Sequence, residues 1–299
     1  MKLFVTGASG WVGSAVVPEL VAAGHQVVGL ARSDASAQKL TEAGADVHRG
    51  DLADLDSLRS GAAQSDGVIH LAFHHDFENF VEAGELDRQA IAALGETLAG
   101  SGRPLVVTSG TAGHAPGQVL TEDQPANPHS PRGSEQAALA FADRDVRVSI
   151  VRLAPTTHGT GDYGFVPVLI EVARTKGVAA YPGDGANRWS AVHRDDAAVL
   201  FRLAVESAET GTVLHAIGEE GVATRDIAET IGRNLGIPVG SIAPETAFEH
   251  FGWIGAFFAL DIPASSAITR QRFGWQPNHI GLLEDLDQGY YFATQSARI

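Results

Sequence analysis

Three glycines spaced three residues apart, Gly7, Gly10 and Gly13, lie in the run Val5-Thr6-Gly7-Ala8-Ser9-Gly10-Trp11-Val12-Gly13 near the start of the chain. A β-branched run precedes them and a helical pattern follows. Residues of this kind bind anions through the backbone. Gly7 permits a tight turn out of the strand, Gly10 lets the backbone approach a pyrophosphate, and Gly13 lets the helix pack on the sheet. Backbone N–H groups from Ser9, Trp11 and Val12 then face the anion at a helix N-terminus. The spacing is GxxGxxG rather than GxGxxG, because Ala8 stands where a second glycine would be. Set between a strand and a helix and followed by further strand–helix units, the turn predicts dinucleotide binding.

The second strand ends in Val28-Gly29-Leu30-Ala31-Arg32-Ser33-Asp34. A site for NAD places an acid near this strand end to hold the ribose 2′-OH, whereas an arginine there accepts a 2′-phosphate. Arg32 stands nineteen residues after Gly13, Ser33 offers a further hydroxyl donor, and Asp34 is placed to cap the next helix. The expected cofactor is NADP(H) in preference to NAD(H). Asp51, after the third strand, could accept from the adenine amino group, cap the helix that follows, or do both.

These residues need a scaffold, and the first half of the chain supplies its pattern. Strand candidates at 3–6, 26–30, 46–49, 67–71, 104–108 and 146–151 alternate with helical candidates at 11–23, 35–43, 55–63, 77–99 and 134–143. That alternation predicts an α/β protein with a doubly wound parallel sheet of Rossmann type. Beyond Val151 the rhythm changes, with helices expected at 165–174, 195–207, 224–235, 244–258 and 265–273 and a strand at 212–217. The expected division is an NADP-binding domain over 1–155, completed by 190–218, and a smaller C-terminal α+β substrate lobe over 156–189 and 219–299. The cleft between them is the expected substrate site.

Composition narrows the partners. The net charge of −15, from 36 acidic against 21 basic residues, disfavours nucleic acid, and no basic patch is legible around Lys2, Lys39 or Lys176. The absence of cysteine excludes disulfides, thiolate metal sites and cysteine nucleophiles together. The apolar stretch from Trp253 to Leu260 is far below the ~20 residues that span a bilayer, and the start of the chain lacks a signal peptide's apolar core. A cytoplasmic protein with a small-molecule substrate, no membrane partner and no metal is expected, and a homodimer is left open.

With these residues and later ones, the chain resembles the extended short-chain dehydrogenase/reductase superfamily, the NAD-dependent epimerase/dehydratase group. The motifs are TGASGWVG at 6–13, GDL at 50–52, HLAF at 70–73, VVTSGTAG at 106–113, RLAPTTHGTGD at 152–162 and GDGANRWSAVHRDDAA at 183–198. The resemblance implies a seven-stranded sheet. It puts Asp51 and Leu52 among the cofactor residues and Leu71, Ala72 and Phe73 along the adenosine and ribose. It places Thr108 and Ser109 beside the nicotinamide, with Pro155 and Thr156 flanking the ring. His193 and Asp195 would tie a strand to the helix that starts there.

The resemblance fails at the family's catalytic pair, a tyrosine with a lysine four residues on. The tyrosines are Tyr163, Tyr181, Tyr290 and Tyr291, and four residues further stand Pro167, Gly185, Thr294 and Gln295. One register puts Arg132 and Gln136 at the missing positions, and a shift by one puts Pro131 and Glu135 there. Candidates to replace the pair are the hydroxyls of Ser109 and Thr111, an electrostatic role for Arg132, and His74 as the proton source. Each has a structural rival: the hydroxyls could satisfy backbone, Arg132 could pair with Glu135, and Ser134-Glu135 reads as a helix N-cap with an acid in the first turn. In the segment His74-His75-Asp76 the aspartate is a natural helix cap. The leading expectation is an NADPH-dependent reductase or dehydrogenase of atypical type, acting on a small carbonyl or alcohol. The alternatives are a catalytically silent NADP-binding sensor and a sugar-nucleotide epimerase or dehydratase.

Overall fold

Short apolar runs separated by amphipathic stretches fold as alternating strands and helices, and the computed structural model describes residues 1–75, 79–111, 117–125 and 127–293. The first half runs β1 (Lys2–Thr6), α1 (Gly13–Ala22), β2 (Gln26–Ala31), α2 (Asp34–Glu42), β3 (Asp46–Arg49), α3 (Leu55–Ala63), β4 (Gly67–His70), α4 (Phe80–Leu98), β5 (Pro104–Gly110), α5 (Ser134–Leu139) and β6 (Arg147–Leu153). The second half adds β7 (Thr156–His158), α6 (Phe165–Lys176), β8 (Ala179–Pro182), β9 (Arg188–His193), α7 (Arg194–Ser207) and β10 (Thr212–Ala216). It closes with β11 (Glu219–Ala223), α8 (Thr224–Leu235), β12 (Val239–Ile242), α9 (Ala247–Phe251), α10 (Gly255–Phe258), α11 (Ala267–Phe273) and α12 (Leu282–Asp287).

Seven strands form one sheet in the order β10-β6-β5-β4-β1-β2-β3, parallel throughout. A parallel sheet must be covered on both faces, and its strands are accordingly buried, as all four residues of β4 are. Val16, Val17 and Leu20 of α1 pack with Leu200 and Phe201 of α7 on one face. Leu58 of α3 and Ile91 and Leu94 of α4 cover the other. The strand order reverses between β1 and β4, the switch point at which such sheets open a ligand crevice beyond their C-terminal ends. A separate apolar cluster joins Leu169 and Ile170 of α6, Trp189 of β9, Ile227 of α8 and Phe258 of α10. Among the described residues no helix is long and apolar enough to cross a membrane.

Three expected helices differ. The helix expected over 244–258 is broken into short pieces, because Gly252 adopts a left-handed φ of 68° that ends α9. The helix expected over 134–143 stops at Leu139, and a 3-10 turn leads to Asp145 with a φ of 54°. α4 begins at Phe80; the expected start at Phe77 lies outside the described residues, as does the proposed cap Asp76.

Candidate functional site

The glycine turn is shaped by what surrounds it. Gly7 has a φ of 64°, and a Cβ there would lie 2.6 Å from the Ala72 nitrogen. At Gly13 a Cβ would lie 2.2 Å from the Gly7 carbonyl oxygen, so α1 closes on the turn only without a side chain. No side chain caps α1, and its Ser14 and Ala15 nitrogens donate to the Gly10 and Val12 carbonyls at 2.9 and 3.0 Å. Trp11 anchors the turn from outside. Its Nε1 donates to the Thr157 carbonyl at 2.8 Å, and the Arg194 guanidinium stands 4.3 Å over its ring. From here a cleft of about 1420 Å³ runs past the ends of β1, β4 and β5 to α6 and the segment around Trp253.

At one end of the cleft lie Arg32, Ser36, Asp51 and Leu52. Arg32 is exposed and makes no hydrogen bond or ion pair among the described residues. Asp34, two residues on in the chain, is held by Arg49 at 2.5 Å. Two expected roles are corrected here. Ser33, not Asp34, caps α2, accepting from the Ser36 nitrogen at 3.2 Å. Ser33 therefore does not line the cleft, and Ser36, one helical turn on, does. Asp51 does not cap α3. It accepts from the Ala53 nitrogen at 3.0 Å, while Asp54 takes the Ser57 nitrogen at 3.1 Å.

Leu71 and Ala72 line the cleft beside Gly7, and Phe73, His74, Thr108, Ser109, Thr111, Arg132, Pro155 and Thr156 line it as well, all of them expected site residues. The hydroxyls of Thr108, Thr111 and Thr156 are buried without a hydrogen-bond partner. A glycine cradle that opens on a cleft with Ser109 and Arg132 along its wall fits a dinucleotide.

Arg132 stands just before α5. Its Nε donates to Ser134 Oγ at 2.8 Å, its Nη2 to the Thr108 carbonyl at 2.9 Å, and its guanidinium lies 4.1 Å from the Phe73 ring centre. The expected pairing with Glu135 is not made; Glu135 is turned to Arg152, which grips it at 2.9 and 2.8 Å. Ser134 is not the cap either. Gly133 holds that position with a φ of 63°, and the Ser134 hydroxyl donates to Asp87. Asp87 Oδ1 lies 3.0 Å from His70 Nε2, and His70 Nδ1 lies 2.8 Å from Thr6 Oγ1. A buried polar chain thus links the glycine turn to Arg132. Burial opposes ionisation of Asp87, but the His70 hydrogen bond and the Arg132 charge, 3.7 Å away, hold its carboxyl below the usual range.

Several site residues carried no sequence signal. Phe165, Trp253, Phe257 and Leu260 line the cleft from the C-terminal part of the chain, as does Asp162. Burial pushes the Asp162 carboxyl up to about 6, against hydrogen bonds from the Gly164 nitrogen at 2.6 Å and the Tyr291 hydroxyl at 3.1 Å. A carboxyl raised on folding adds stability that is complete below its unfolded value near 4 and is lost as pH rises through about 6. Asp162→Asn keeps an acceptor for Gly164 but cannot titrate. The stability of the parent relative to this variant should fall by on the order of 2 kcal/mol between pH 4 and pH 7. Denaturant unfolding at several pH values measures it, and a pH-independent difference would refute the shift.

His193 caps α7 by accepting from the Asp195 nitrogen at 3.2 Å, joining β9 to that helix. With Asp195 and His279 it brings three ligand atoms within 4.8 Å. Its ring is stacked on His279 at 4.4 Å and 7°, however, and in-plane lone pairs of parallel rings do not converge on one ion.

The site can be set beside known proteins. The model of the NAD dependent epimerase/dehydratase family matches residues 3–217. The chain belongs to that family. The uncharacterized protein C2A9.02 of Schizosaccharomyces pombe (strain 972 / ATCC 24843) is 50% identical over 295 residues, covering 98% of this chain and 100% of the relative. The 2-alkyl-3-oxoalkanoate reductase of Stenotrophomonas maltophilia (strain K279a) is 29% identical over 225 residues, covering 71% and 67%. A solved structure of MoeE5 in complex with UDP-glucose and NAD superposes with a TM-score of 0.75 at 23% identity, covering 99% of both chains. That similarity establishes the Rossmann-like fold. Arg132 stands two residues before α5. No lysine lines its cleft among the described residues.

Proposed function

We propose that the chain is an NADP(H)-dependent oxidoreductase of atypical short-chain type that interconverts a carbonyl compound and its alcohol. The observation that carries this reading is the convergence of Ser109, Arg132 and His74 on the cleft that the glycine turn opens. The glycine turn would hold the pyrophosphate, Arg32 and Ser36 the 2′-phosphate, and Thr108, Thr111, Pro155 and Thr156 the nicotinamide. When bound, NADPH supplies a hydride, so that C=O becomes C–H and, with one proton, O–H, leaving NADP⁺. The Ser109 hydroxyl donates to the carbonyl oxygen. Arg132 stays charged and stabilises the negative charge that develops there, while His74, exposed at the cleft, delivers the proton. Residues 1–155 with 190–218 would hold the cofactor, and the remainder the substrate.

A panel of aldehydes and ketones, followed by loss of NADPH fluorescence, tests the proposal. Turnover of at least one carbonyl is expected. Tight NADPH binding with no turnover across the panel would overturn it in favour of a sensor.

A further inference from the structure

The geometry points to a bulky apolar substrate, an aryl aldehyde or ketone without phosphate, at the far end of this cleft. This rests on the oxidoreductase reading and adds the class of carbonyl compound. The wall there is aromatic. Phe165 of α6 has its ring centre 5.5 Å from Trp253 and 6.0 Å from Phe257, and all three are half-buried at the cleft. Behind it Trp189 lies fully buried, its ring centre 5.6 Å from Phe165, so the wall is braced rather than loose. Phe73 and Phe80, 5.6 Å apart, also line the cleft, Phe73 with the Arg132 guanidinium over its ring. A flat aromatic wall stabilises a planar ring through burial and offset aromatic contact.

Charge argues the same way. Among the described residues that line the cleft there is no lysine, and arginine appears only as Arg32 and Arg132. Arg32 sits at the opposite end, and Arg132 already spends Nε and Nη2 on Ser134 and Thr108. The N-terminus of α6 also opens on the cleft, where a phosphate could dock. Asp162 pre-empts it, its carboxyl taking the Gly164 nitrogen at 2.6 Å. A diphosphate would meet that carboxylate in a protein of net charge −15, with no free cation to offset its desolvation. The cleft of about 1420 Å³ is larger than the roughly 300–1,000 Å³ of a one-ligand site, as a cleft shared by a dinucleotide and a substrate must be.

The test uses the full chain saturated with NADP⁺ and titrates 2-naphthylmethanol or UDP-glucose by calorimetry, with turnover of 2-naphthaldehyde measured in parallel. The naphthyl alcohol should bind and UDP-glucose should not. Trp253→Ala should weaken the alcohol about tenfold to a hundredfold, the loss of one buried aromatic contact surface. NADPH affinity reports folding, and Phe257→Leu replaces Trp253→Ala if that variant does not fold. Tighter binding of UDP-glucose, binding of neither ligand, or naphthyl binding indifferent to a folded wall variant would each overturn the inference. Wall-dependent binding without aldehyde turnover would uphold the apolar site and refute the oxidoreductase reading alone.

Discussion

Ser109→Ala is expected to lower kcat by about 10²–10³, the cost of removing one preorganised donor to a developing oxyanion, while leaving NADPH affinity unchanged. Ser109 ends β5 at the cleft and is half-exposed there, with its backbone next to the Thr108 carbonyl that fixes Arg132. It is the hydroxyl of that strand end within reach of a substrate rather than sealed behind it. Thr108 and Thr111 are buried by comparison. The variant removes a donor and creates no large cavity, so thermal stability should stay close to that of the parent. Steady-state kinetics and NADPH titration separate the two effects. Turnover equal to the parent's would move the role to Thr111, Arg132 or His74.

The second expected result concerns cofactor choice. NADPH should bind more tightly than NADH, and Arg32→Ala should erase most of the difference while leaving NADH nearly untouched. Arg32 is exposed at the cleft with no partner among the described residues, and Asp34, two residues on in the chain, is engaged by Arg49. Its donors are therefore available to a 2′-phosphate, with the Ser36 hydroxyl on the same wall. A hydrogen bond to a charged group contributes roughly 1.5–3 kcal/mol, or about tenfold to a hundredfold in affinity. Because Arg32 is exposed, the preference should shrink at high salt. Calorimetric titration of both cofactors against parent and variant checks this, and equal affinity of the parent for both would refute it.

Local signals were legible in the sequence, and contacts between distant segments were not. The glycine turn and the strand–helix alternation could be read because each depends on residues a few positions apart. Leu55–Ala63 and Thr224–Leu235 form with the expected bounds. Capping roles were misread because they turn on the exact first residue of a helix. Ser33 was read as a ligand and Asp34 as a cap, and a start at Asp34 reverses the capping role. Glu135 was paired with Arg132, three residues away, but its partner is Arg152 on β6, brought near only by the sheet. The aromatic wall was visible only as an apolar stretch. Which side of it meets the cleft depends on the break at Gly252, which a single periodic pattern conceals.

The polar chain from Thr6 through His70, Asp87 and Ser134 to Arg132 has a consequence for how such a protein can change over time. Asp87 is wholly buried, and its charge is tolerated only because its neighbours engage it together. Removing any one of them strands a charge or a hydroxyl in the interior, which costs several kcal/mol for a charge. Descent through single substitutions is therefore obstructed at Arg132. Replacing Arg132 by a neutral side chain would withdraw the cation beside the Asp87 carboxylate, so the change is tolerated only together with another that neutralises Asp87.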